Sequence, residues 1–498
     1  MNMQSRGYAA LTMTSRDRTR RARVLSCERR KQQERLNERI KPAVICGDQV
    51  VLYEALDRAT DALARWLLRE GLQTGDRVAI HWCNSVEVAT LYFACFKAGM
   101  IAVPVNNRLK TPEIADILRH SGAKPCFSQP ELAPLSEEAR ADCPDLQRVH
   151  IAFPPLKAKD LVSVALPEVA PDQVAAILYT SGTTARPKGV VHTHSSLIAG
   201  AELMSSLGPD GSHTLLTATQ MVHIAALCCV LLAGVAIGAS MVLVPSFDAA
   251  QSLDLIERWR CSSLLILPAM LRFVVEEQGH RSPRNVSSVR LCFAGGDTVP
   301  VALQERFHAF FGIPVRELFG MTESGPIACI REGAPRDGSF GPAVEGVNAR
   351  VADLAGKVVA DGQVGQLQAK SPANCLGYWD DPESTAATID DGWLRTGNLM
   401  RRDADGFFWF EGRPKEIIVR GGSNISPQEV EEALYQNPAV LEVGVVGAPD
   451  PVYGEKVIAF VALQDGLGPR RGGVAGLRPA SHRRLQGTGT HCIPAGPA

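Results

Sequence analysis

Between residue 42 and about residue 337, short apolar runs alternate with stretches of helical periodicity, and that rhythm restricts the fold more than any other feature. Residues 42–46 read as a strand. Residues 52–70 read as an amphipathic helix with Leu56, Leu63, Trp66 and Leu67 on one face. Strands over 76–82 and 101–105 flank a helix over 85–98. Further strands fit at 175–179, 264–267 and 289–294, with helices at 251–259 and 301–310. Strands that alternate with helices imply parallel sheets covered on both faces. After about residue 337, Gly and Asp recur every few residues and the runs shorten, as in GQLQAK and GFFWFEGR. That change predicts a smaller, mostly antiparallel β unit. From Glu416, the segments EIIVRGG, PQEVEEALYQ, LEVGVVGAP and KVIAFVAL read as strand, helix, strand and strand. They predict a separate small α+β domain, joined near residues 412–415.

Composition narrows the class. The chain has 498 residues, 45% of them apolar and 21% charged, with a net charge of −1. Such a chain has enough apolar surface to fold, which excludes wholesale disorder, collagen and coiled coil. Near-neutral charge argues against a nucleic-acid partner. The 13 cysteines include no CxxC pair. They fit reduced thiols in a cytoplasmic protein, not a disulfide framework or a zinc site. Residues 224–244 carry no charge and are long enough to span a bilayer. Their Ala, Gly and Cys content and the closing MVLVP run instead predict a buried helix followed by a strand, with no integral membrane segment.

The motif richest in chemistry is YTSGTTARPKGVVHTH, residues 179–194. A strand runs into small hydroxyl and glycine residues and then a lysine. Small residues let backbone N–H groups approach phosphate oxygens, hydroxyls donate directly, and lysine adds a point charge. By composition alone, an ordinary Ser/Thr/Gly turn fits equally well. The Walker A pattern is absent.

The full string resembles the phosphate loop of the acyl- and aryl-adenylate-forming enzymes, with Ala185 at the third glycine of the family pattern. Four further strings follow in the family's order: CFAGGDTVP, ELFGMTESGP, GWLRTGNL and EGRPKEIIVRGGSNISPQEVEE. The resemblance covers about residues 42–463. It implies that Thr180, Ser181, Gly182, Thr183, Thr184 and Lys188 meet the phosphates of ATP. Gly295 and Gly296 would line the acyl and adenine sites, with Asp297 near adenine. Phe319 and Gly320 would lie at adenine, Thr322 at the α-phosphate, and Glu323 would hold Mg2+. Asn398 replaces the family's aspartate, which binds the ribose hydroxyls; the amide loses the charge and one acceptor oxygen. Arg413 would contact ribose or phosphate, Lys415 would be the hinge, and Arg420, Gly421 and Gly422 would line the pantetheine tunnel of coenzyme A. Ser426 is the expected cap of the helix that follows. His223 matches a pocket-wall histidine near the acyl carboxylate, although a lone histidine beside an apolar run is as often a core residue. Small Ala225, Ala226 and Ala294 hint at room for the acyl group.

The implied reaction has two steps. A small-molecule carboxylic acid attacks Mg-ATP to give an acyl adenylate and pyrophosphate, and the thiol of CoA then displaces AMP. A fatty acid is the first expectation. An aryl acid, or a carrier-protein thiol in place of CoA, is the nearest alternative. The fold implied is α/β: a large adenylate-forming domain with parallel and mixed sheets and a small β unit over 43–412, then a truncated α+β domain over 413–464.

The two ends differ from the rest. Residues 1–42 hold 12 Lys or Arg against 4 Asp or Glu and no signal-type apolar core, which predicts a disordered basic tail. Residues 466–498 hold no acid and no lysine. One allowed back-translation of residues 485–498, read one nucleotide later, gives YKVPERIVFLPALP, a segment similar to the family's C-terminal strand before its lysine. The expectation is a frameshifted, disordered tail over 465–498. A chain without that lysine is expected to be impaired in the first step, or to be a degenerate nucleotide- or acyl-binding remnant.

Overall fold

The computed structural model describes residues 41–154, 163–180, 187–280, 283–331, 333, 335–353, 355–413, 418–420, 423–425, 427–435, 437, 439–450, 454–463 and 490–494. In chain order the first elements are β1 (Pro42–Cys46), β2 (Gln49–Leu52), α1 (Tyr53–Arg69), β3 (Arg77–His81), α2 (Val86–Ala98), β4 (Ile101–Pro104), α3 (Thr111–Ser121), β5 (Pro125–Ser128), α4 (Ala133–Arg140) and β6 (Arg148–His150). Next come β7 (Val174–Thr180), β8 (Lys188–Thr193), α5 (His194–Ser206) and β9 (Thr214–Thr217). Helix α6 opens over Ile224–Ala226, widens into a π turn over Leu227–Leu232 and closes over Ala233–Ile237. Then follow β10 (Ser240–Leu243), α7 (Ala249–Trp259), β11 (Ser263–Ile266), α8 (Pro268–His280), β12 (Leu291–Gly295), α9 (Val301–Phe311), β13 (Arg316–Met321) and β14 (Gly325–Cys329).

The β unit holds β15 (Ser339–Gly341), β16 (Asn348–Ala352), β17 (Val364–Lys370), β18 (Gly377–Tyr378), α10 (Pro382–Thr388), β19 (Ile389–Asp390), β20 (Trp393–Arg402) and β21 (Phe408–Gly412). The last elements are β22 (Ile418–Arg420), β23 (Ser423–Ile425), α11 (Pro427–Tyr435), β24 (Val440–Asp450), β25 (Gly454–Leu463) and β26 (Thr490–Pro494).

Among the described residues the strands form four sheets. One runs β14-β13-β12-β11-β9-β10-β1-β2, parallel except for antiparallel β2 and β14 at its edges. A second runs β18-β8-β7-β4-β3-β5-β6, parallel from β7 to β6 and antiparallel at β8 and β18. The third, β15-β21-β20-β17-β16, is antiparallel, as the short Gly- and Asp-punctuated runs predict. The fourth, β23-β22-β25-β24 with β26 on β25, belongs to the small domain.

The periodicities explain the packing. Helix α1 buries Leu56, Leu63, Trp66 and Leu67, the predicted face. Each such side chain contributes about 1.5–3 kcal/mol by leaving water. Helix α2 starts at Ser85, whose hydroxyl caps the Val88 N–H, and stops at Gly99 in the left-handed conformation. It is buried from Val88 to Ala98 and shares one core with α5 and with residues of both large sheets, such as Val44, Met241, Val78 and Ala102. The uncharged run over 224–244 is a buried helix followed by a strand, as expected. The π turn is the departure, and it places Cys228 and Cys229 in the core. No helix among the described residues is long and apolar enough to cross a membrane. The cysteines from Cys46 to Cys375 are free thiols.

Of the stretch expected to be a tail, Thr490–Pro494 pairs antiparallel with β25, where Ile458 to Ala462 offer a paired edge. The other residues of 465–498, with 1–40 and Ser426, lie outside the described residues. The small domain has its own core of Ile418, Val440, Val443, Val445, Val457, Ala459 and Val461. It touches the large domain through Arg272, whose guanidinium donates to the Leu441 carbonyl and lies 5.2 Å from the Tyr435 ring centre.

Three imidazoles, His81, His192 and His194, are buried and each pushed down to about 4 by desolvation. The unfolded chain therefore binds more protons than the native one between about pH 4 and 6.5, and stability falls as pH falls through that window. Among the described residues neither ring nitrogen of His194 has a hydrogen-bond partner. His194→Phe should leave stability at pH 7 unchanged or higher, and should reduce the loss of stability between pH 7 and pH 5 by about 2 kcal/mol. Urea unfolding at the two pH values checks this.

Candidate functional site

The first part of the site is the β7–β8 hairpin. Thr180 pairs with Lys188 at the end of the described ladder. The Thr180 hydroxyl lies 3.5 Å from the Lys188 carbonyl, a long contact. Ser181, Gly182, Thr183 and Thr184 lie outside the described residues. The Lys188 ammonium donates to Ser384 Oγ at 2.8 Å and sits 4.9 Å from the Tyr378 ring centre. Strand β18 brings that ring there by pairing Tyr378 with Val190 of β8. Asp381 caps α10 by accepting the Ser384 N–H at 2.9 Å. Hydrogen bonds from Ser384, hydroxyl first, hold the Asp381 carboxyl below the usual carboxylate range.

The second part is the β13–β14 hairpin, whose turn carries Thr322, Glu323 and Ser324. A Cβ on Gly320 would fall 2.5 Å from the Gly325 carbonyl oxygen, so the close crossing requires glycine. The motif at 317–326 is thus a hairpin turn and does not lead into a helix. His192 Nε2 lies 2.7 Å from the Thr322 carbonyl, and its Nδ1 lies 3.0 Å from Ser196 Oγ. A carbonyl only accepts, so Nε2 carries the proton and Nδ1 accepts from the serine. Ser324 Oγ donates to Asn374 Oδ1 at 2.8 Å, and the Cys375 N–H donates to the Glu323 carbonyl at 2.7 Å. Glu323 is 8% exposed, and its Oε1 accepts the Tyr378 hydroxyl at 2.8 Å. Burial first, and then the Glu323 charge, raise the Tyr378 phenol, which stays protonated and donates.

The third part follows β12. A Cβ on Gly295 would meet the Leu318 carbonyl oxygen at 2.5 Å, so this glycine permits the close approach of β12 and β13. Asp297 is exposed beside Gly296 and accepts the Thr298 N–H at 2.8 Å. Phe319 is half-buried with its ring centre 5.3 Å from that of Phe340. His223 is exposed at the start of α6, and surrounding protein, followed by Arg108, lowers its imidazole. Ala226 and Ala294 are fully buried in the core, so of the three small residues only Ala225 borders open space.

The fourth part pairs β20 with the start of the small domain. Asn398 is buried; its Oδ1 accepts from Arg413 Nε at 3.3 Å and its Nδ2 donates to the Thr396 carbonyl at 3.0 Å. Lys415, Gly421 and Gly422 lie outside the described residues; Arg420 lies opposite Ser423 in the β22–β23 hairpin.

Sequence reasoning missed four contributors. Tyr378 and Ser384 carry no motif signal, because only the β18–β8 pairing reveals their neighbours. His192 lay inside the quoted loop string, yet nothing local predicts its contact with a turn 130 residues away. Glu317 is 4% exposed and accepts the Val299 N–H at 3.0 Å and Gln304 Nε2 at 2.8 Å, fixing the loop after β12. Glu317 opens the quoted string ELFGMTESGP, yet nothing local predicts its contacts with the loop after β12.

A β-hairpin whose strands end at Thr180 and Lys188, a buried turn carboxylate and a small domain that follows β21 on this α/β scaffold fit the adenylate-forming class. Residues 31–379 match the AMP-binding enzyme family, and residues 429–476 match the AMP-binding enzyme C-terminal domain. The chain therefore belongs to the AMP-binding enzyme family, whose members of this kind are AMP-forming acid–thiol ligases. It is 34% identical over 458 residues to the fatty acid–[acyl-carrier-protein] ligase ScoC of Streptomyces coeruleorubidus, covering 87% of this chain and 86% of that one. It is 35% identical to the sulfoacetate–CoA ligase of Cupriavidus necator, covering 85% of each. The anthranilate CoA ligase AuaEII, solved with anthranoyl-AMP, superposes with a TM-score of 0.83 at 28% identity over 88% of this chain and 87% of that one.

Asn398 offers one neutral acceptor where a carboxylate would offer two charged ones. A charge-assisted hydrogen bond contributes about 1.5–3 kcal/mol against about 1 for a neutral one. Asn398→Asp should therefore lower the KM for ATP by about ten-fold. Steady-state kinetics with ATP varied checks this, and an unchanged or higher KM contradicts it.

Proposed function

We propose that this chain activates a carboxylic acid with Mg-ATP and passes the acyl group to a thiol, with a fatty acid as substrate and coenzyme A as acceptor. The observation that carries the reading is the placement of Lys188 and Glu323 on two hairpins joined through Tyr378. The lysine supplies the charge that phosphates need, and residues 181–186, which lie outside the described residues, would supply the N–H and hydroxyl donors. Thr322 and Phe319 would meet the α-phosphate and adenine, and Gly295, Gly296 and Asp297 would border the acyl and adenine space. Asn398 and Arg413 would hold the ribose, and Lys415 would be the hinge. Catalysis on this plan is positioning and charge neutralisation, with no enzyme nucleophile.

The donor set fits Mg2+. Glu323 is a single carboxylate with one oxygen on Tyr378, and its Oε2 has no hydrogen-bond partner among the described residues. No group of three metal-binding side chains surrounds it among those residues. A cation that keeps its waters and shares substrate phosphates suits one carboxylate. When bound, it would neutralise charge on the phosphates.

The fatty-acid reading is supported by the name of the Streptomyces relative, which also makes a carrier-protein thiol the alternative acceptor. An aryl acid is the second reading, supported by the likeness to the anthranilate ligase. The two half-reactions are best measured apart. Supplied with synthetic acyl adenylates and CoA, the protein should form thioester and AMP, fastest with a fatty acyl adenylate. Preference for an aroyl adenylate would replace the substrate assignment. Failure with every adenylate, while AMP still binds, would make the chain a nucleotide-binding remnant.

A further inference from the structure

We propose that Tyr378 is a positioning residue that keeps the Lys188 ammonium and the Glu323 carboxylate from neutralising each other and aims the carboxylate at the nucleotide's metal. This rests on the reading of those two groups given above. Opposite charges that face one confined site tend to pair, and a paired lysine and glutamate are poor ligands for phosphate and cation. Here both charges have other partners and no ion pair joins them. Tyr378 contacts both: its ring face receives the ammonium at 4.9 Å, and its hydroxyl donates to Glu323 Oε1 at 2.8 Å. Ser384, seated at the start of α10 by Asp381, draws the ammonium at 2.8 Å. With Oε1 so occupied, Oε2 is the carboxylate oxygen left to a cation. The Tyr378 backbone is held in place: it pairs with Val190, and its N–H donates to Thr385 Oγ1 at 2.9 Å.

Spacer and aim can be separated. Tyr378→Phe keeps the ring and removes the hydroxyl. Tyr378→Leu removes both the cation–π seat and the hydroxyl. Calorimetric titration with ATP, with and without Mg2+, reads binding without turnover, and thermal unfolding checks the fold. Tyr378→Phe should bind metal-free ATP as the parent does and Mg-ATP about three- to ten-fold more weakly. Tyr378→Leu should lose about ten-fold on both, because Lys188 and Glu323 then pair. Adding Glu323→Gln to Tyr378→Leu should restore metal-free ATP binding by freeing the lysine. The proposal is overturned if Tyr378→Phe weakens both forms of ATP equally or neither, or if the double variant recovers nothing. If the Leu variants do not fold, the Phe titration alone decides. Lys188→Ala and Glu323→Gln, measured singly, separate the layers. If neither weakens Mg-ATP, the functional reading fails; if both do and Tyr378→Phe does not, only the role of Tyr378 fails.

Discussion

The antiparallel pairing of β18 with β8 is the contact on which the site depends. Two residues of strand, Gly377 and Tyr378, dock on the edge of the mixed sheet opposite Val191 and Val190. That short ladder brings a segment from the β unit against the hairpin that carries Lys188. It also delivers Tyr378 to Glu323, Trp379 to the Gly189 carbonyl, and α10 to the lysine. Edge strands leave backbone groups unpaired, and this edge is covered by a strand that carries side-chain function with it.

The electrostatics follow the same logic. At about 4 Å two unit charges attract by about 4 kcal/mol in a partly screened protein environment, enough to lock a lysine and a glutamate together. The fold instead gives each charge a neutral hydrogen-bonding partner and leaves the pair open to a third party. His192, neutral because it is buried, holds the Thr322 carbonyl without adding a charge beside Glu323. The glycines serve geometry: Gly295 and Gly320 let backbone pass within reach of backbone, at places where a side chain would collide.

The alternation of strands and helices was legible because apolar periodicity reports burial directly, and it gave β3, α2 and β4 to within a residue or two. Lys188, Thr322 and Glu323 were legible through motif strings with chemical reasons behind them. Tyr378, Ser384 and Glu317 were not, since their meaning lies in contacts made across long sequence separations. The π turn in α6 was also hidden, because an uncharged run rich in Ala, Cys and Leu has the same composition whether it is regular or widened. Asn398 stands out in the sequence as a departure from the family pattern. Its bond to Arg413 could only come from the fold.

The central claim is that Lys188 and Glu323 form one site for a nucleotide's phosphates and their cation. A crystal structure of the protein with a non-hydrolysable ATP analogue and Mn2+ tests it most directly, because the metal's anomalous signal fixes its position. The account predicts the manganese at the Glu323 carboxylate and a phosphate oxygen within hydrogen-bond reach of Lys188 Nζ. Manganese away from Glu323, or phosphates that contact neither residue, would contradict it.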